Sequence, residues 1–281
     1  MENFVFLAVL FAALCHAGWN ALIKVGLDPL STTTLIAIGS GAVGLALLPL
    51  TGLPAPASWS WLIASVLIHL VYFAALIESY RTGDLGQVYP IARGSAPLMT
   101  ATVTTIFLGE TMNLVGWSGI VVLVAGVVLL SARGGRELAT IDRRAVGFAL
   151  FTALTICVYS VVDGIGARLS ANPAGYSLAL FVGNALLLVP YAFYRDGRAI
   201  IPTLQHFWLR GLAGGSLTVL SYGIAIWAMT VAPIAIVATL RETSVLFGAV
   251  IAVLVLKEPL RATRIGAALL IVCGLVLIRI Q

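Results

Sequence analysis

The sequence predicts an all-α integral membrane protein with ten transmembrane helices, arranged as two inverted five-helix repeats. Its composition is 60% hydrophobic and only 10% charged, with a mean hydropathy of +1.07, which lies outside the range of soluble globular chains. Apolar runs recur along the whole chain and reach the roughly 17 to 25 residues that cross a bilayer as a helix. The chain also matches itself when it is shifted by 148 residues, which indicates an internal duplication.

The first half of the chain contains five apolar runs. They are separated by residues that favour turns, such as Asp28 with Pro29 and the Gly- and Pro-containing segment 52–56. Each run is long enough to form one membrane-crossing helix. The predicted spans are residues 3–25, 31–50, 59–80, 84–108 and 113–131.

The second half repeats this arrangement after a hydrophilic connector at residues 133–143, which separates a repeat at 1–132 from a repeat at 144–281. Because five is an odd number, a second set of five single crossings enters the membrane from the opposite side. The two repeats are therefore expected to be inverted. The predicted spans are residues 144–167, 174–194, 208–230, 233–256 and 261–279.

The two copies match most clearly between residues 93–130 and 241–278. They share nine identities in 38 aligned positions, and most mismatches exchange one apolar residue for another. Equivalent helices of inverted repeats face each other near the midplane, so the fourth span of each copy is expected to border a common cavity. The matched pairs include Arg93 with Arg241, Leu108 with Leu256, Glu110 with Glu258 and Gly126 with Gly274.

The composition argues against several kinds of partner and cofactor. The net charge is +5, but Lys and Arg occur in short bursts between apolar runs, unlike the basic stripe with interleaved aromatics that binds nucleic acid. Cys15, Cys157 and Cys273 lie inside apolar runs without CxxC spacing, so we expect buried thiols and no metal site. The chain has no Walker A loop, and we expect no cofactor.

Short motifs occur in the same order in both copies. The first copy has YPIARG at 89–94, FLGE at 107–110 and a segment at 116–130 that contains Gly126; the second has LKEP at 256–259, continuing to Gly274. These motifs resemble the repeat unit of the drug/metabolite transporter superfamily, EamA type, over nearly the whole chain. The resemblance implies ten helices in two inverted repeats, around a cavity lined mainly by helices 1, 3, 4, 6, 8 and 9. The stretch 16–24 also resembles a branch associated with phosphonate use.

Arg93 and Arg241 lie where a transmembrane helix is normally apolar. Each is roughly 12 to 14 Å into its span at about 1.5 Å per residue, close to the bilayer centre. An arginine at that depth costs about 2.5 to 3.5 kcal/mol on insertion scales, so it should face the interior and have a partner. That partner is either a carboxylate of the protein, such as Glu78, Asp163 or Glu242, or an oxyanion of a bound solute.

Other polar side chains follow helical spacing and therefore line one side of their helix. His16 and Asn20 are four residues apart on the first span, and Tyr159 and Asp163 are four apart on the sixth. Tyr89 lies one turn before the arginine of the fourth span. We expect these residues to contribute to the cavity, while interhelical hydrogen bonding or core packing is the alternative role, particularly for Asn20 and His16.

Asp163 and Glu242 are the candidates for carrying a coupling proton. A carboxylate at membrane depth must be paired, protonated or hydrated, and the last two states allow a proton to be carried. Glu242 adjoins Arg241 but points about 100° away from it on a helix, so we do not expect these two to pair. The position equivalent to Glu242 in the first repeat is Gly94, so the duplication does not require a charge there.

Three further carboxylates have structural interpretations. Glu78 lies near the membrane edge beside Arg81, where a surface ion pair is expected. Glu110 and Glu258 open the fifth and tenth spans, where a carboxylate stabilises the free amides of a helix N-terminus.

Glycines mark expected close contacts between helices, because the absence of a side chain lets two backbones approach. The same kind of contact could form a homodimer. The glycines concerned are Gly39, Gly41, Gly44, Gly211 and Gly215.

The orientation of the chain in the membrane is predicted differently by two arguments. Arginine and lysine concentrate in the loops on one side of the bundle, whereas the side that carries both termini has Arg168 and Arg279. The positive-inside rule then places both termini outside the cytoplasm, while the family resemblance implies both termini inside.

The expected function is secondary-active transport of a small organic metabolite by alternating access. The paired arginines favour an anionic or zwitterionic solute. Two alternatives remain: a membrane scaffold, which would not depend on Arg93, and an intramembrane enzyme, for which His16, His69 and His206 lack the spacing of a catalytic motif. The expected location is the bacterial cytoplasmic (inner) membrane, with lipid around the bundle.

Overall fold

The structure is a computed structural model that describes residues 1–23, 27–82, 85–131, 143–254 and 262–281. Within these ranges the chain is α-helical apart from short connections and two 3₁₀ turns, at Pro56–Ser58 and Gly197–Ile200, and has no β-strand. The helices are α1 (Asn3–Ile23), α2 (Pro29–Thr51), α3 (Trp59–Thr82), α4 (Leu85–Leu108), α5 (Leu114–Ser131), α6 (Arg143–Leu169), α7 (Pro173–Asp196), α8 (Ile201–His206), α9 (Trp208–Val231), α10 (Ile234–Arg241), α11 (Ser244–Leu254) and α12 (Ala262–Ile280).

The helices follow the predicted spans, with two differences. The short helix α8 lies in the predicted connector between the seventh and eighth spans. The ninth predicted span, 233–256, is divided into α10 and α11 by a turn at Glu242 and Thr243. The predicted span itself is retained, because Ile234–Ile251 is still long and apolar enough to cross a membrane. The break within it follows Arg241 directly.

Most of the helices are suited to a lipid environment. Large apolar side chains point outward, as shown by Leu7 at 63% exposed, Phe107 at 76% and Leu269 at 65%. Such a surface is stable against hydrocarbon and unfavourable in water. Among the described residues, eight segments are long and apolar enough to cross a membrane, with a shorter apolar stretch at Leu114–Leu130: Asn3–Asn20, Pro29–Thr51, Pro56–Leu76, Val146–Leu169, Pro173–His206, Trp208–Val231, Ile234–Ile251 and Ala262–Ile280.

Two helices begin at the turn residues that the sequence singles out. Asp28 caps α2, because its Oδ1 accepts hydrogen bonds from the backbone N–H groups of Leu30 and Ser31, both at 3.0 Å. Asn172 caps α7 by accepting from Gly175 at 3.0 Å. In each case a proline follows at the first helical position, where its missing N–H costs no hydrogen bond.

Short connections from both halves meet on the side of the bundle that carries Met1 and Gln281, which we call the terminal side. The backbone N–H of Ala55 donates to the carbonyl of Ser170 at 2.8 Å. The amide of Asn172 donates to the carbonyl of Thr51 at 2.9 Å. These bonds join the α2–α3 connection of the first half to the α6–α7 connection of the second half, so the terminal side is closed at this point.

Glycines allow the closest helix contacts, as predicted for α2 and α9. A Cβ atom added at Gly39 would lie 2.1 Å from the carbonyl oxygen of Gly211, and one at Gly215 would lie 2.3 Å from the backbone nitrogen of Ser40. Neither position has room for a side chain. The two backbones therefore touch directly, which leaves van der Waals packing to hold these helices together.

A second close contact joins α5 and α12. A Cβ atom at Gly126 would lie 2.8 Å from the backbone nitrogen of Ile271, and a Cβ atom at Gly274 would lie 2.6 Å from that of Leu123. Gly126 and Gly274 are matched by the shift of 148 residues, and so are Leu123 and Ile271. Gly126 meets Ile271 and Gly274 meets Leu123, so the two contacts are equivalent under the duplication.

Candidate functional site

The break between α10 and α11 places polar groups in the interior of the bundle. The backbone N–H of Glu242 donates to Thr239 at 3.0 Å and that of Thr243 donates to Leu240 at 3.1 Å, so a tight turn replaces the helical pattern. The hydroxyl of Thr243 also donates to the carbonyl of Leu240, at 2.7 Å. Irregular backbone at membrane depth is tolerated where it is buried in protein or lines a cavity, and interrupted helices of this kind form solute sites in transporters.

Arg93 of α4 joins the first half of the chain to this break. Its Nε lies 2.9 Å from Oε2 of Glu242, and its Nη2 donates to the hydroxyl of Ser244 at 3.2 Å. The side chains of Arg93 and Glu242 are only 11% and 6% exposed. Of the protein carboxylates considered as partners for Arg93, the structure selects Glu242. Nη2 also lies 3.5 Å from Nε2 of His16 on α1.

Arg241, the repeat equivalent of Arg93, has a different environment. Its Cζ lies 4.6 Å from the centre of the Tyr222 ring, which is the geometry of a cation–π contact. Within the described part of the chain, its buried Nε has no hydrogen-bond partner, and no ion pair to this side chain is present. Toward the described residues, Arg241 therefore has unused N–H donors.

A small cavity lies between the two arginines. It is bordered by α4, α6 and α10, and it has room for about one water molecule. Ligand pockets commonly measure about 300 to 1,000 Å³, so this site must widen before it can hold an organic solute. Its polar lining consists of Arg93, Thr100, Tyr159, Ser160, Arg241 and Glu242, and its apolar lining of Ala96, Pro97, Ile156 and Ala238.

Asp163 lies deeper in α6 and does not border this cavity. The carboxylate is fully buried and accepts hydrogen bonds from two phenols: Oδ1 from Tyr176 at 3.1 Å and Oδ2 from Tyr222. The ring of His69 stacks on that of Tyr159, with centroids 4.3 Å apart, and interacts electrostatically with Asp163. Sequence spacing predicts Tyr159 and Asp163 on one face of α6, but it does not reveal the phenols that donate hydrogen bonds to the carboxylate.

Two of the remaining predicted site residues, His16 and Asn20, lie on α1 and do not line the cavity. Asn20 donates to the backbone carbonyl of His16 at 2.8 Å, a bond within α1 that favours the packing interpretation for this residue. His16 contacts both Arg93 and the indole N–H of Trp19, the latter at 3.4 Å. Tyr89 lies on α4 one turn before Arg93, and its side chain is outside the described part of the structure.

Glu110 has a structural role that differs from the predicted one. Its Oε1 accepts from the backbone N–H of Ile234 at 3.1 Å, so it stabilises the start of α10 in the other half of the chain and not the start of α5. The same oxygen pairs with Arg168 at 2.7 Å. Arg168 in turn donates to the carbonyls of Met229 and Ala232, at 2.9 and 3.2 Å. This group, which we call the Glu110–Arg168 clasp, holds the α9–α10 turn on the terminal side.

Two other structural predictions have different outcomes. Glu78 pairs with Arg195 at 3.7 Å. This ion pair is partly exposed. The side chain of Arg81 lies outside the described part of the structure, so its pairing with Glu78 stays a prediction. Glu258 lies outside the described residues. In the described ranges, no cluster of three or more His, Cys, Asp or Glu side chains is arranged to hold a metal ion.

Comparisons with known proteins place the chain in a family. The sequence profile of the EamA-like transporter family matches residues 3–132 and 143–280. A solved crystal structure has the same fold, with a TM-score of 0.77 and 17% sequence identity, over 98% of this chain and 95% of the other.

Two curated bacterial relatives share sequence with parts of the chain. An "Uncharacterized transporter in cobO 3'region" of Sinorhizobium sp is 37% identical over 84 residues, covering 30% of this chain and 49% of the relative. The Multidrug resistance protein EbrB of Bacillus subtilis is 37% identical over 73 residues, covering 26% of this chain and 62% of the relative. The chain thus spans about half to three fifths of the curated relatives it matches. From the profile match over both halves, the chain is a multi-pass membrane protein that belongs to the EamA-like transporter family.

Proposed function

We propose that the chain is a secondary-active transporter that carries a small organic anion or zwitterion by alternating access, with Arg241 as the main solute-binding residue. The observation that carries this proposal is the contrast between the two repeat-equivalent arginines. Arg93 is ion-paired with Glu242, whereas Arg241 borders the same cavity with a cation–π contact to Tyr222 and, among the described residues, no hydrogen bond or salt bridge.

The chemistry of guanidinium favours an oxyanion as the solute. Arg241 is half-buried, and its buried Nε–H has lost hydration without gaining an acceptor among the described residues, which is costly at membrane depth. A carboxylate, phosphate or phosphonate can restore this loss through two parallel N–H···O bonds. Tyr159, Ser160 and Thr100 add hydroxyl groups to the cavity lining and can contact the rest of a small polar molecule.

The packing of the helices supports ten spans in two inverted repeats. The reciprocal contacts of Gly126 with Ile271 and of Gly274 with Leu123 are those expected of a twofold axis between α5 and α12. α1 packs on α9, and α6 packs on α3. In the duplication α1 corresponds to α6 and α9 corresponds to α3, so these two contacts are equivalent. Two halves related in this manner can rock about a site at their interface, which is the usual basis of alternating access.

The closed terminal side supports one particular state of that cycle. The Glu110–Arg168 clasp and the bond from Ala55 to Ser170 link the two halves on this side. We propose that these links break when the cavity opens toward the terminal side. Solute then passes between Arg241 and whichever side of the membrane is open.

Coupling to a proton requires a buried carboxylate that changes its charge. Glu242 is the nearer candidate, because it lines the cavity and contacts Arg93. An incoming oxyanion that competes for Arg93 would favour protonation of Glu242. Asp163 is the second candidate, since it is buried without an ion-pair partner among the described residues. The bacterial origin of both relatives supports the cytoplasmic (inner) membrane as the location.

Thermal unfolding of the purified full chain in detergent tests the binding claim. A ligand that binds only the folded state raises the apparent stability. We expect stabilisation from some organic acids, amino acids or phosphonates, no stabilisation from organic cations, and loss of the effect in Arg241→Gln. Stabilisation that is equally large in Arg241→Gln would contradict the assigned role, and absence of any stabilising solute would favour the scaffold alternative.

A further inference from the structure

An aromatic ring packs against the guanidinium of Arg241. Its Cζ lies 4.6 Å from the centre of the Tyr222 ring, and its buried Nε has no hydrogen-bond partner among the described residues. Within the described residues no carboxylate is paired with this guanidinium. The face of an aromatic ring accepts no conventional hydrogen bond from the N–H groups along the edge of a guanidinium. The contact with Tyr222 therefore leaves the N–H donors of Arg241 available to a ligand.

Tyr222 is itself held rigidly by its surroundings. Its side chain is buried, and its hydroxyl donates to Oδ2 of Asp163. The ring meets Tyr159 edge-on, with centroids 6.1 Å apart and an interplanar angle of 87°, and meets Phe181 at 6.3 Å and 76°. A ring restrained on two edges and at its hydroxyl has one orientation, and that orientation presents its face to Arg241.

Asp163 is the anchor of this arrangement. Its second oxygen accepts from Tyr176 on α7 at 3.1 Å. Tyr176 fits because residue 166 is a glycine: a Cβ atom there would lie 2.5 Å from the tyrosine oxygen. The carboxylate therefore accepts from two phenols on two other helices, with Ser65 and His69 of α3 also interacting with it, and it does not border the cavity. Its route to the solute site runs through Tyr222.

We propose that Tyr222 is a positioning residue for the solute site, and that Asp163 acts on that site by fixing Tyr222. The Asp163–Tyr222 pair holds the Arg241 guanidinium in place before the solute arrives. The parallel N–H donors of Arg241 are then already oriented to bind a planar or tetrahedral oxyanion. Such preorganisation improves binding because less freedom is lost on association. This inference rests on the proposed function of Arg241 as a solute ligand.

Two tyrosine variants separate positioning from general stability. Tyr222→Phe and Tyr176→Phe each remove one phenol hydroxyl that donates to Asp163. Of these two tyrosines, Tyr222 is the one whose ring packs against Arg241. If Asp163 merely needed donors, both variants would behave alike, whereas positioning through Tyr222 predicts an effect of Tyr222→Phe alone on the guanidinium. Thermal unfolding of both variants, measured alongside, establishes that each is folded.

The first readout needs no ligand. In full-length protein labelled with ¹⁵N-arginine in lipid nanodiscs, the Nε–H resonance of Arg241 is identified by its loss in Arg241→Gln. We expect this resonance to shift or broaden in Tyr222→Phe and to stay unchanged in Tyr176→Phe. An unchanged resonance in Tyr222→Phe, or equal changes in both variants, would overturn the positioning role.

The second readout uses methylphosphonate and acetate as probes, followed through the same resonance. We expect the dissociation constant of the binding probe to rise about tenfold in Tyr222→Phe, and to change less than about twofold in Tyr176→Phe. A smaller rise in Tyr222→Phe than in Tyr176→Phe would contradict the inference. If neither probe binds the wild-type protein, the oxyanion site fails, while the ligand-free comparison still decides the role of Tyr222.

Discussion

Arg93 and Glu242 form a buried ion pair, 2.9 Å between Nε and Oε2, that joins α4 of the first half of the chain to the break between α10 and α11 in the second half. The pair lies at the wall of the cavity and is reinforced by the bond from Arg93 to Ser244. It therefore stabilises an interrupted helix, and it leaves the equivalent Arg241 at the cavity with no salt bridge to the described residues.

Removal of Arg93 is expected to destabilise the protein. Arg93→Gln leaves Glu242 buried without its cation, and breaking a buried pair from one side costs about 3 to 5 kcal/mol. Thermal unfolding in detergent should show a clear drop in the midpoint. The double variant Arg93→Gln/Glu242→Gln removes both charges and should recover part of the loss; a double variant less stable than the single one would contradict the pairing.

The Glu110–Arg168 clasp is expected to keep the terminal side closed. Ser160 borders the cavity, so a cysteine placed there in a chain without native cysteines reports on access from each side. Glu110→Gln weakens the ion pair at 2.7 Å and should increase labelling of Ser160→Cys by an impermeant maleimide from the terminal side.

Arg195→Gln is the matched control for the clasp. It breaks the partly exposed pair with Glu78 at 3.7 Å, which does not involve the terminal side. Exposed pairs of this kind contribute roughly 0 to 1 kcal/mol. The control should leave labelling from the terminal side unchanged, and equal labelling in both variants would remove the clasp as the closing element.

The cap of α2 is expected to contribute stability that depends on pH. Burial pushes the pKa of Asp28 upward, but hydrogen bonds from Ser31 and Leu30 outweigh burial and hold this pKa below its usual value. The stabilisation is present above the unfolded pKa of about 3.9 and is lost as the pH falls through the lower folded pKa. Asp28→Ala should cost about 0.5 to 2 kcal/mol at neutral pH, measured by unfolding.

Asp28→Asn separates the charge of the cap from its hydrogen bonds. Asparagine caps helices about as well as aspartate but does not titrate. Its unfolding midpoint should equal that of the wild type at pH 7 and lack the wild-type loss at acid pH that arises from this residue. If both proteins lose stability in parallel as the pH falls, Asp28 is not the source.

The glycine contacts between α5 and α12 are expected to be equivalent. Gly126→Ala and Gly274→Ala each bring a Cβ atom to within 2.8 Å of backbone on the other helix. Overpacking of this kind costs about 1 to 3 kcal/mol, and the reciprocal geometry predicts similar losses for the two variants. Gly147→Ala is the control, since a Cβ atom there meets no atom within 4 Å. Unfolding midpoints that fall for only one of the pair would argue against the twofold relation.

The helical fold and the interior position of both arginines are predictable from sequence, because apolar runs and buried charge are local signals. The break at Glu242 and Thr243 is not, since this stretch has no glycine or proline. Its one sequence signal is the hydroxyl-rich run 243–244 beside Glu242, which can bond to nearby backbone groups.

The partners of the charged residues are the part that sequence could not supply. Arg93 and Glu242 are far apart in the chain, and so are Glu110 and Ile234. A helical wheel describes the direction of a side chain on its own helix, but the neighbouring helix decides what it meets. Tyr222 and Tyr176 were missed for this reason, because nothing local marks a phenol that reaches Asp163.

Transport by purified protein in proteoliposomes, with the most stabilising solute of the thermal screen, tests whether Arg241 binds the transported solute. Arg241→Lys keeps the charge and removes the planar pair of N–H donors, while Arg241→Gln removes both. We expect Arg241→Gln to abolish uptake, Arg241→Lys to retain a small fraction, and both variants to stay folded. Wild-type uptake by folded Arg241→Gln would contradict the assignment of this arginine as the residue that binds the transported solute.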